Sequence, residues 1–188
     1  MNGQEELQSK EIEKAVAILR KGGVVIFPTD TVYGIGCRFD NPAAIERIKS
    51  IKGSRQNFPV LISHLKQAHQ LAKVNNAAIG LAQKYWPGGL TIILEKQSGS
   101  GKIGIRIPNH KIAMSLIDKL GFPIVGTSAN FHSQKPPISY EELDPGIISL
   151  ADFVVRGNCK EKTESTVVDA TSFPIKIMRK GAVNINVA

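Results

Sequence analysis

The chain has 188 residues, which is long enough for one domain with a sizeable core and does not require a second. Hydrophobic residues make up 42% and charged residues 21%, as in ordinary soluble globular proteins, and no apolar run approaches the roughly 18 residues that a membrane span needs. The formal net charge of +8 favours polyanionic partners such as nucleotides or RNA, although a basic surface alone would also produce it.

The termini and cysteines narrow the class of protein further. The polar start MNGQEELQSKEIEK lacks the apolar run of a secretory signal, so we expect a cytoplasmic protein. Cys37 and Cys159 lie far apart without CxxC spacing, which excludes a zinc ribbon and argues against a disulfide framework. With so few cysteines and scattered histidines, we expect no metal site built from protein side chains.

The first half of the chain alternates predicted helices and strands. Apolar residues at helical spacing predict a helix over 5–21, and the run VVIF that follows predicts a short buried strand. Asn41 and Pro42 are typical of a helix start, with Asn41 as the cap, and the apolar stripe of that helix is Ile45, Ile48 and Ile51. Further elements are predicted as a strand over 59–63 and helices over 65–72 and 76–85.

The second half is richer in strands. LTIILE (90–95) and IGIRIP (103–108) predict two strands joined by the flexible segment KQSGSGK. Asn109 is expected to cap a helix that ends at Leu120 before Gly121. Later strands are predicted within PIVGTSAN, DFVVRG, STVVDA and PIKIMRKG. Interspersed helices and strands with some hairpins predict a single α/β domain, spanning 1–188, around a mixed sheet.

One apparent nucleotide motif does not fit its context. GSGKIG (99–104) has the literal GxGxxG pattern, but the dinucleotide-binding use of that pattern requires a helix to follow, and IGIRIP alternates as a strand does. The segment also lacks the first glycine of a P-loop and the Ser or Thr after Lys102. A nucleotide would therefore have to be bound by residues outside this motif.

Small polar residues cluster at the ends of three predicted strands. PTDT follows Phe27, GTSAN follows Val125, and Ser165 and Thr166 precede VVD. In a mixed α/β sheet the strand ends and their loops form the usual ligand edge, and hydroxyl and amide groups can both donate and accept. Any one cluster is more simply a turn or a helix cap, but three together favour a polar ligand site.

Cations near these clusters suggest that the ligand is anionic. Arg106 and Arg179 lie among aliphatic residues, where a guanidinium needs an anion to meet, while Lys52 and Arg55 follow a predicted helix. His64 could also contact a ligand, although a neutral, partly exposed histidine is the more common outcome. With no GxSxG motif, no paired carboxylates and no cysteine with an evident partner, positioning and electrostatics are more plausible than covalent catalysis. The residues alone indicate an α/β protein that binds a small polar ligand and an anion.

The motifs PTDTVYGIG, KGSR, IRIP, TSAN, STVVD and RKGA, in this order across nearly the whole chain, resemble the YrdC-like family of threonylcarbamoyl-AMP synthases, the TsaC type. The chain is similar to the short, single-domain members. The resemblance implies a twisted mixed sheet with flanking helices and a large basic concave cavity. It implies the reaction of L-threonine, bicarbonate and ATP to threonylcarbamoyl-AMP and pyrophosphate, with Mg²⁺ held largely by the ATP phosphates. A partner transferase would then modify tRNA.

Carried over by motif, the resemblance implies two sets of site residues. The residues expected to contact threonine are Thr31, His64, Arg106, Ser128 and Ser165. The residues expected to contact ATP are Lys52, Arg55, Asn130 and Arg179. The family's lysine and arginine are usually separated by one residue, whereas Gly53 and Ser54 both intervene here. Two alternatives stay open: an RNA-binding protein with this fold, and a paralogue without the synthase activity.

Overall fold

The computed structural model describes residues 3–185, and within them helices and strands alternate along the chain. The helices are α1 (Gly3–Arg20), α2 (Pro42–Lys52), α3 (Leu65–Leu71), α4 (Asn76–Tyr85), α5 (Lys111–Leu120) and α6 (Pro145–Leu150). The strands are β1 (Val25–Phe27), β2 (Gly34–Arg38), β3 (Val60–Leu61), β4 (Leu90–Glu95), β5 (Lys102–Arg106), β6 (Ile124–Ser128), β7 (Phe153–Val154), β8 (Thr166–Asp169) and β9 (Lys176–Arg179).

The nine strands form one mixed sheet in the order β7-β1-β2-β6-β3-β5-β4-β8-β9. The pairs β1–β7, β3–β5 and β4–β8 are parallel. The remaining neighbours, β1–β2, β2–β6, β3–β6, β4–β5 and β8–β9, are antiparallel. The predicted single α/β fold with a mixed sheet is therefore confirmed.

Helices cover both faces of this sheet, and the alternation of the strand residues divides the core between them. Val25 and Phe27 of β1 pack in one cluster with α1 and α5, whereas Ile26 packs in a second cluster with residues of α2, α3, α4 and α6. The longest helix, α1, is strongly polar on its outer side. Of the helices within 3–185, none is long and apolar enough to cross a membrane.

Helix α2 forms as its local sequence predicts. The Asn41 side chain accepts a hydrogen bond from the Ala44 amide at 3.1 Å, and Pro42 occupies the first turn, where its missing N–H costs nothing. Gly53 ends the helix with φ of 61°, a left-handed conformation that glycine adopts without a Cβ clash. These caps make Lys52 the last helical residue.

Three details differ from the sequence-based expectations. Helix α5 begins at Lys111 with His110 at the cap position and no side-chain cap bond, so the prediction that Asn109 caps it is wrong. Strand β2 was not predicted, because GIGCR has the composition of a turn. Helix α6 was not predicted either, since its six residues are too few for a helical pattern to show.

Gly36 of strand β2 is required by close packing, and it supplies a test of the fold. A Cβ at Gly36 would lie 2.5 Å from the Val125 carbonyl oxygen and 2.9 Å from Ile124 Cγ2. We therefore expect Gly36→Ala to lower the free energy of unfolding by about 2–3 kcal/mol, measured by urea denaturation. The matched control is Gly80→Ala in α4, where nothing lies within 4 Å of the new Cβ. Gly80→Ala is expected to raise the free energy of unfolding by roughly 0.5–1 kcal/mol. Equal stabilities of the two variants would contradict this account.

Candidate active site

A small, partly open cleft lies where several strands end. Its wall brings together the turn after β1, the end of β6, the residues before β8 and the arginines that end β5 and β9. The predicted site residues on this wall are Thr31, Arg106, Ser128, Ser165 and Arg179. The three polar clusters noted in the sequence therefore meet at one site, as expected for the ligand edge of a sheet.

Strand pairing accounts for this convergence. In the β2–β6 pair Gly34 lies opposite Ser128, so the turn before β2 and the end of β6 meet at the same edge. In the parallel pair β4–β8 Leu90 lies opposite Thr166, which places the segment before β8 beside the start of β4. Register in the sheet thus fixes which polar residues share the cleft.

Arg106 is held by a buried network at the cleft wall. Its Nη2 forms a 2.5 Å ion pair with Asp30, and the two side chains are only 7% and 4% exposed. Its Nε donates to the Gly88 carbonyl at 2.9 Å and its Nη1 donates to Thr31 Oγ1 at 2.9 Å. Burial lowers the pKa of the guanidinium, and the charge of Asp30 opposes that shift. The anion that the buried arginine requires is thus a residue of the chain itself.

Arg179 is fixed on the same wall by the segment before β8. Its Nε and Nη2 donate to the carbonyl and the hydroxyl of Ser165 at 3.0 and 3.2 Å, and Nη1 pairs with Glu164 at 2.8 Å. The Ser165 hydroxyl also lies 2.9 Å from Thr91 Oγ1. The guanidinium is consequently oriented before any ligand arrives, which is how a cation best stabilises charge on a substrate.

Lys52, at the end of α2, does not line the cleft but bonds to the Ser128 segment of its wall. Its side-chain nitrogen donates to the Ser128 carbonyl at 2.7 Å and to Asn130 Oδ1 at 3.0 Å, with Ser128 Oγ at 3.3 Å. The residue is 7% exposed, and this burial lowers the pKa of the amine to about 8. Lys52 therefore joins the KGSR and TSAN motifs through three acceptors.

Both polar atoms of the Asn130 side-chain amide form hydrogen bonds within the protein. Its Oδ1 accepts from Lys52, while its Nδ2 donates to the carbonyls of Phe131 at 3.0 Å and Gln134 at 2.7 Å. Both donor hydrogens are used within the protein. The amide thus holds Lys52 in place and shapes the following loop.

Four of the nine predicted site residues do not line the cleft: Lys52 and Asn130, which bond to each other beside Ser128, and Arg55 and His64, which lie apart from them. Arg55 is exposed and lines a separate shallow hollow with Glu46 and Lys49. His64 is exposed at the start of α3, where its Nδ1 lies 3.0 Å from Ser63 Oγ. Arg55 follows the left-handed turn at Gly53 and is separated from Lys52 by both Gly53 and Ser54.

Acidic groups near the cleft are already paired. Asp30 is bound to Arg106 and Glu164 to Arg179. Within residues 3–185, no group of three or more His, Cys, Asp or Glu side chains is arranged to hold a metal ion. The expected Mg²⁺ stays a prediction.

Sequence reasoning did not single out four residues of the site. Asp30, Thr29 and Glu164 belong to the quoted motifs or adjoin them, but each has the residue type of an ordinary turn. Thr91 lies within a strand of aliphatic residues. Such a buried hydroxyl within a strand is a usable signal, because it must find a hydrogen-bond partner.

The fold and the cleft together define an α/β protein with a polar cleft between oriented arginines at strand ends. A family model, Sua5/YciO/YrdC with the description "Telomere recombination", matches residues 17–181. The chain belongs to this family, and the resemblance seen in its motifs is confirmed.

Relatives within the family have two kinds of name. A "Threonylcarbamoyl-AMP synthase" of Pyrococcus abyssi is 32% identical over 193 residues, covering 96% of this chain but 57% of the relative, so this chain spans little more than half of that protein. The Escherichia coli protein YciO is 30% identical over 190 residues, covering 93% of this chain and 90% of YciO.

Solved structures agree with these similarities. P. abyssi Sua5 complexed with L-threonine superimposes with a TM-score of 0.82 at 31% identity, covering 90% of this chain and 54% of that one. E. coli YciO superimposes with a TM-score of 0.86 at 29% identity, covering 94% and 91%. The fold is thus shared with both kinds of relative.

Proposed function

We propose that this protein is a threonylcarbamoyl-AMP synthase, a nucleotidyltransferase that forms threonylcarbamoyl-AMP and pyrophosphate from L-threonine, bicarbonate and ATP. The observation that carries the proposal is the pair of oriented guanidiniums on one cleft wall, Arg106 beside Thr31 and Arg179 beside Ser165. One suits the carboxylate of an amino acid and the other suits phosphate. The Pyrococcus relative with this name, and its structure with L-threonine, support the assignment.

The chemistry requires no nucleophile from the protein. The amine of threonine attacks bicarbonate, and loss of water leaves a carbamate. A carbamate oxygen then attacks the α-phosphorus of ATP, and pyrophosphate leaves. Arg106 and Ser128 would hold threonine while Arg179 and Lys52 offset the charge that builds on the phosphates. Mg²⁺ would enter with ATP, bound to its phosphates.

The adenylate would be passed on rather than released as an end product. A mixed anhydride of this kind is hydrolysed by water, so a concave site that excludes water protects it. We propose that a tRNA threonylcarbamoyltransferase consumes it in the cytoplasm, and that the net charge of +8 favours contact with the tRNA.

One observation favours a second candidate, a family member that lacks this activity. The arginine of the lysine–arginine pair, Arg55, lies in its own hollow rather than on the cleft wall. A protein with the family's cleft but weaker binding of the ATP phosphates would bind an amino acid or RNA without forming the adenylate.

Pyrophosphate release separates the candidates. The protein is incubated with ATP, L-threonine and bicarbonate, and each component is omitted in turn. The synthase requires all three. Release that is unchanged without threonine would contradict the proposal, and salt-dependent RNA binding without ATP turnover would favour the RNA-binding candidate.

Arg55 is expected to have a modest effect on ATP binding. Its side chain is exposed in a hollow separate from the cleft, so its charge would act on the outer phosphates of ATP only through solvent, where salt screens it. We expect Arg55→Ala to raise the KM for ATP about threefold to tenfold and to leave kcat nearly unchanged. Steady-state kinetics beside the neighbouring Gln56→Ala variant measure this, and a loss as large as that of Lys52→Ala would mean that Arg55 enters the cleft.

Lys52 makes the activity depend on pH. Its pKa in the folded protein is about 8 against 10.5 for a free side chain, mainly because of desolvation. As pH rises through about 8 the amine loses its charge, so kcat/KM for ATP is expected to fall. The unfolded chain binds more protons between 8 and 10.5, so this group increases stability as pH rises through that window. A pH profile of Lys52→Arg should lack the fall near 8; an unchanged profile would contradict this role.

A further inference from the structure

The turn after β1 contains two threonine hydroxyls whose proton directions can be deduced. Thr29 Oγ1 lies 2.7 Å from the Val32 carbonyl oxygen. A carbonyl only accepts, so the single hydroxyl proton of Thr29 is committed to it. Thr29 Oγ1 can then only accept from its other neighbours, which are the Thr31 amide at 3.2 Å and Thr31 Oγ1 at 3.0 Å. The Thr31 hydroxyl is therefore the donor in the bond between the two side chains.

These hydrogen-bond directions leave the Thr31 hydroxyl with no proton to donate to a ligand. Its hydroxyl proton points to Thr29, and one of its two lone pairs accepts from Arg106 Nη1 at 2.9 Å. One lone pair remains on the hydroxyl of Thr31, a residue that lines the cleft and is almost wholly buried. A ligand group that bonds to Thr31 must consequently be a hydrogen-bond donor.

Beside the acceptor on Thr31, Arg106 offers hydrogen-bond donors. Three of its five N–H groups are committed, to Gly88, Thr31 and Asp30. The other two have no partner among the described residues and are available to an acceptor such as a carboxylate. An acceptor at Thr31 next to donors at Arg106 matches an amine next to a carboxylate, which is the arrangement of an α-amino acid.

We propose that Thr29 is a positioning residue that determines specificity: by accepting the Thr31 proton it makes Thr31 an acceptor for the amine of the substrate. The inference rests on the proposed function, because it assumes that the cleft binds threonine. It also fits the reaction. An acceptor at Thr31 holds an amine N–H and leaves the nitrogen lone pair free to attack, whereas a hydroxyl donor would compete for that lone pair.

Calorimetric titration without ATP tests this role. Two ligands are compared, L-threonine and 3-hydroxybutyrate, which keeps the carboxylate and hydroxyl but has no amine. Wild type and Thr29→Ser are expected to prefer threonine to the same degree, since serine supplies the same hydroxyl. In Thr29→Val the Thr31 hydroxyl is free to turn and donate, so the preference for threonine should fall roughly tenfold.

The ratio of the two affinities separates this role from a purely structural one. If Thr29 only stabilised the turn, both ligands would weaken in parallel and an unchanged ratio would overturn the inference. Should Thr29→Val fail to fold, Thr31→Val takes its place, because removing the acceptor must also lower the ratio. If the wild-type protein does not bind threonine, the proposed function itself is contradicted. If it binds threonine but Thr29→Val leaves the ratio of the two affinities unchanged, only the role of Thr29 is contradicted.

Discussion

Replacing Lys52 with alanine is expected to lower kcat/KM for threonine-dependent pyrophosphate release by about 100-fold or more. The substitution removes a buried positive charge behind the Ser128 segment of the cleft and leaves the Ser128 carbonyl and Asn130 Oδ1 without their shared donor. Two effects therefore combine, the loss of electrostatic stabilisation of the phosphates and a looser TSAN turn. Initial rates of pyrophosphate formation at saturating bicarbonate measure the result.

Controls separate chemistry from folding in this experiment. Unpaired buried acceptors cost about 1–3 kcal/mol, so the unfolding free energy of Lys52→Ala must be measured beside its activity. Lys66→Ala removes an exposed lysine from α3 and is expected to retain wild-type rates. Wild-type turnover in Lys52→Ala would remove this residue from the site, and the second candidate function would then gain support.

The parts of the fold that follow local rules were predictable. Helix α2 is specified by its own neighbours, Asn41, Pro42 and Gly53, so its limits could be read from the sequence. Strand β2 has no such local specification. Gly36 is required by the close approach of Val125 on a strand that lies far along the chain, and that contact exists only in the folded sheet. Composition alone therefore indicated a turn.

The site shows the same division between local and long-range information. That Arg106 needs an anion followed from burying a guanidinium among aliphatic residues. Its partner could not be inferred, because Asp30 is 76 residues away in the chain. The resemblance to a family supplied the reaction, whereas the residues alone indicated only a polar ligand and an anion. The position of Arg55 depends on the turn at Gly53, and motif order carries no information about that turn.

Hydrogen bonds within the protein explain how the cations around the cleft are oriented in advance. Lys52 is held by acceptors of the β6 end, and Arg106 by the turn after β1. Arg179 is held by the segment before β8. Each cation is thus fixed by a different strand end, so forming the sheet also assembles the site.

Arg179→Ala is expected to lower kcat/KM by about 30- to 100-fold while changing stability little, because the arginine side chain is 41% exposed. Its removal takes a cation from the cleft and also leaves Glu164 unpaired on the wall, where a carboxylate repels phosphate. The double variant Arg179→Ala/Glu164→Gln should therefore recover part of the lost activity. Lys180→Ala, which removes the adjacent exposed cation, is the matched control and should keep wild-type rates. Full activity of Arg179→Ala, or a double variant no better than the single one, would show that Arg179 does not act on the phosphates in this way.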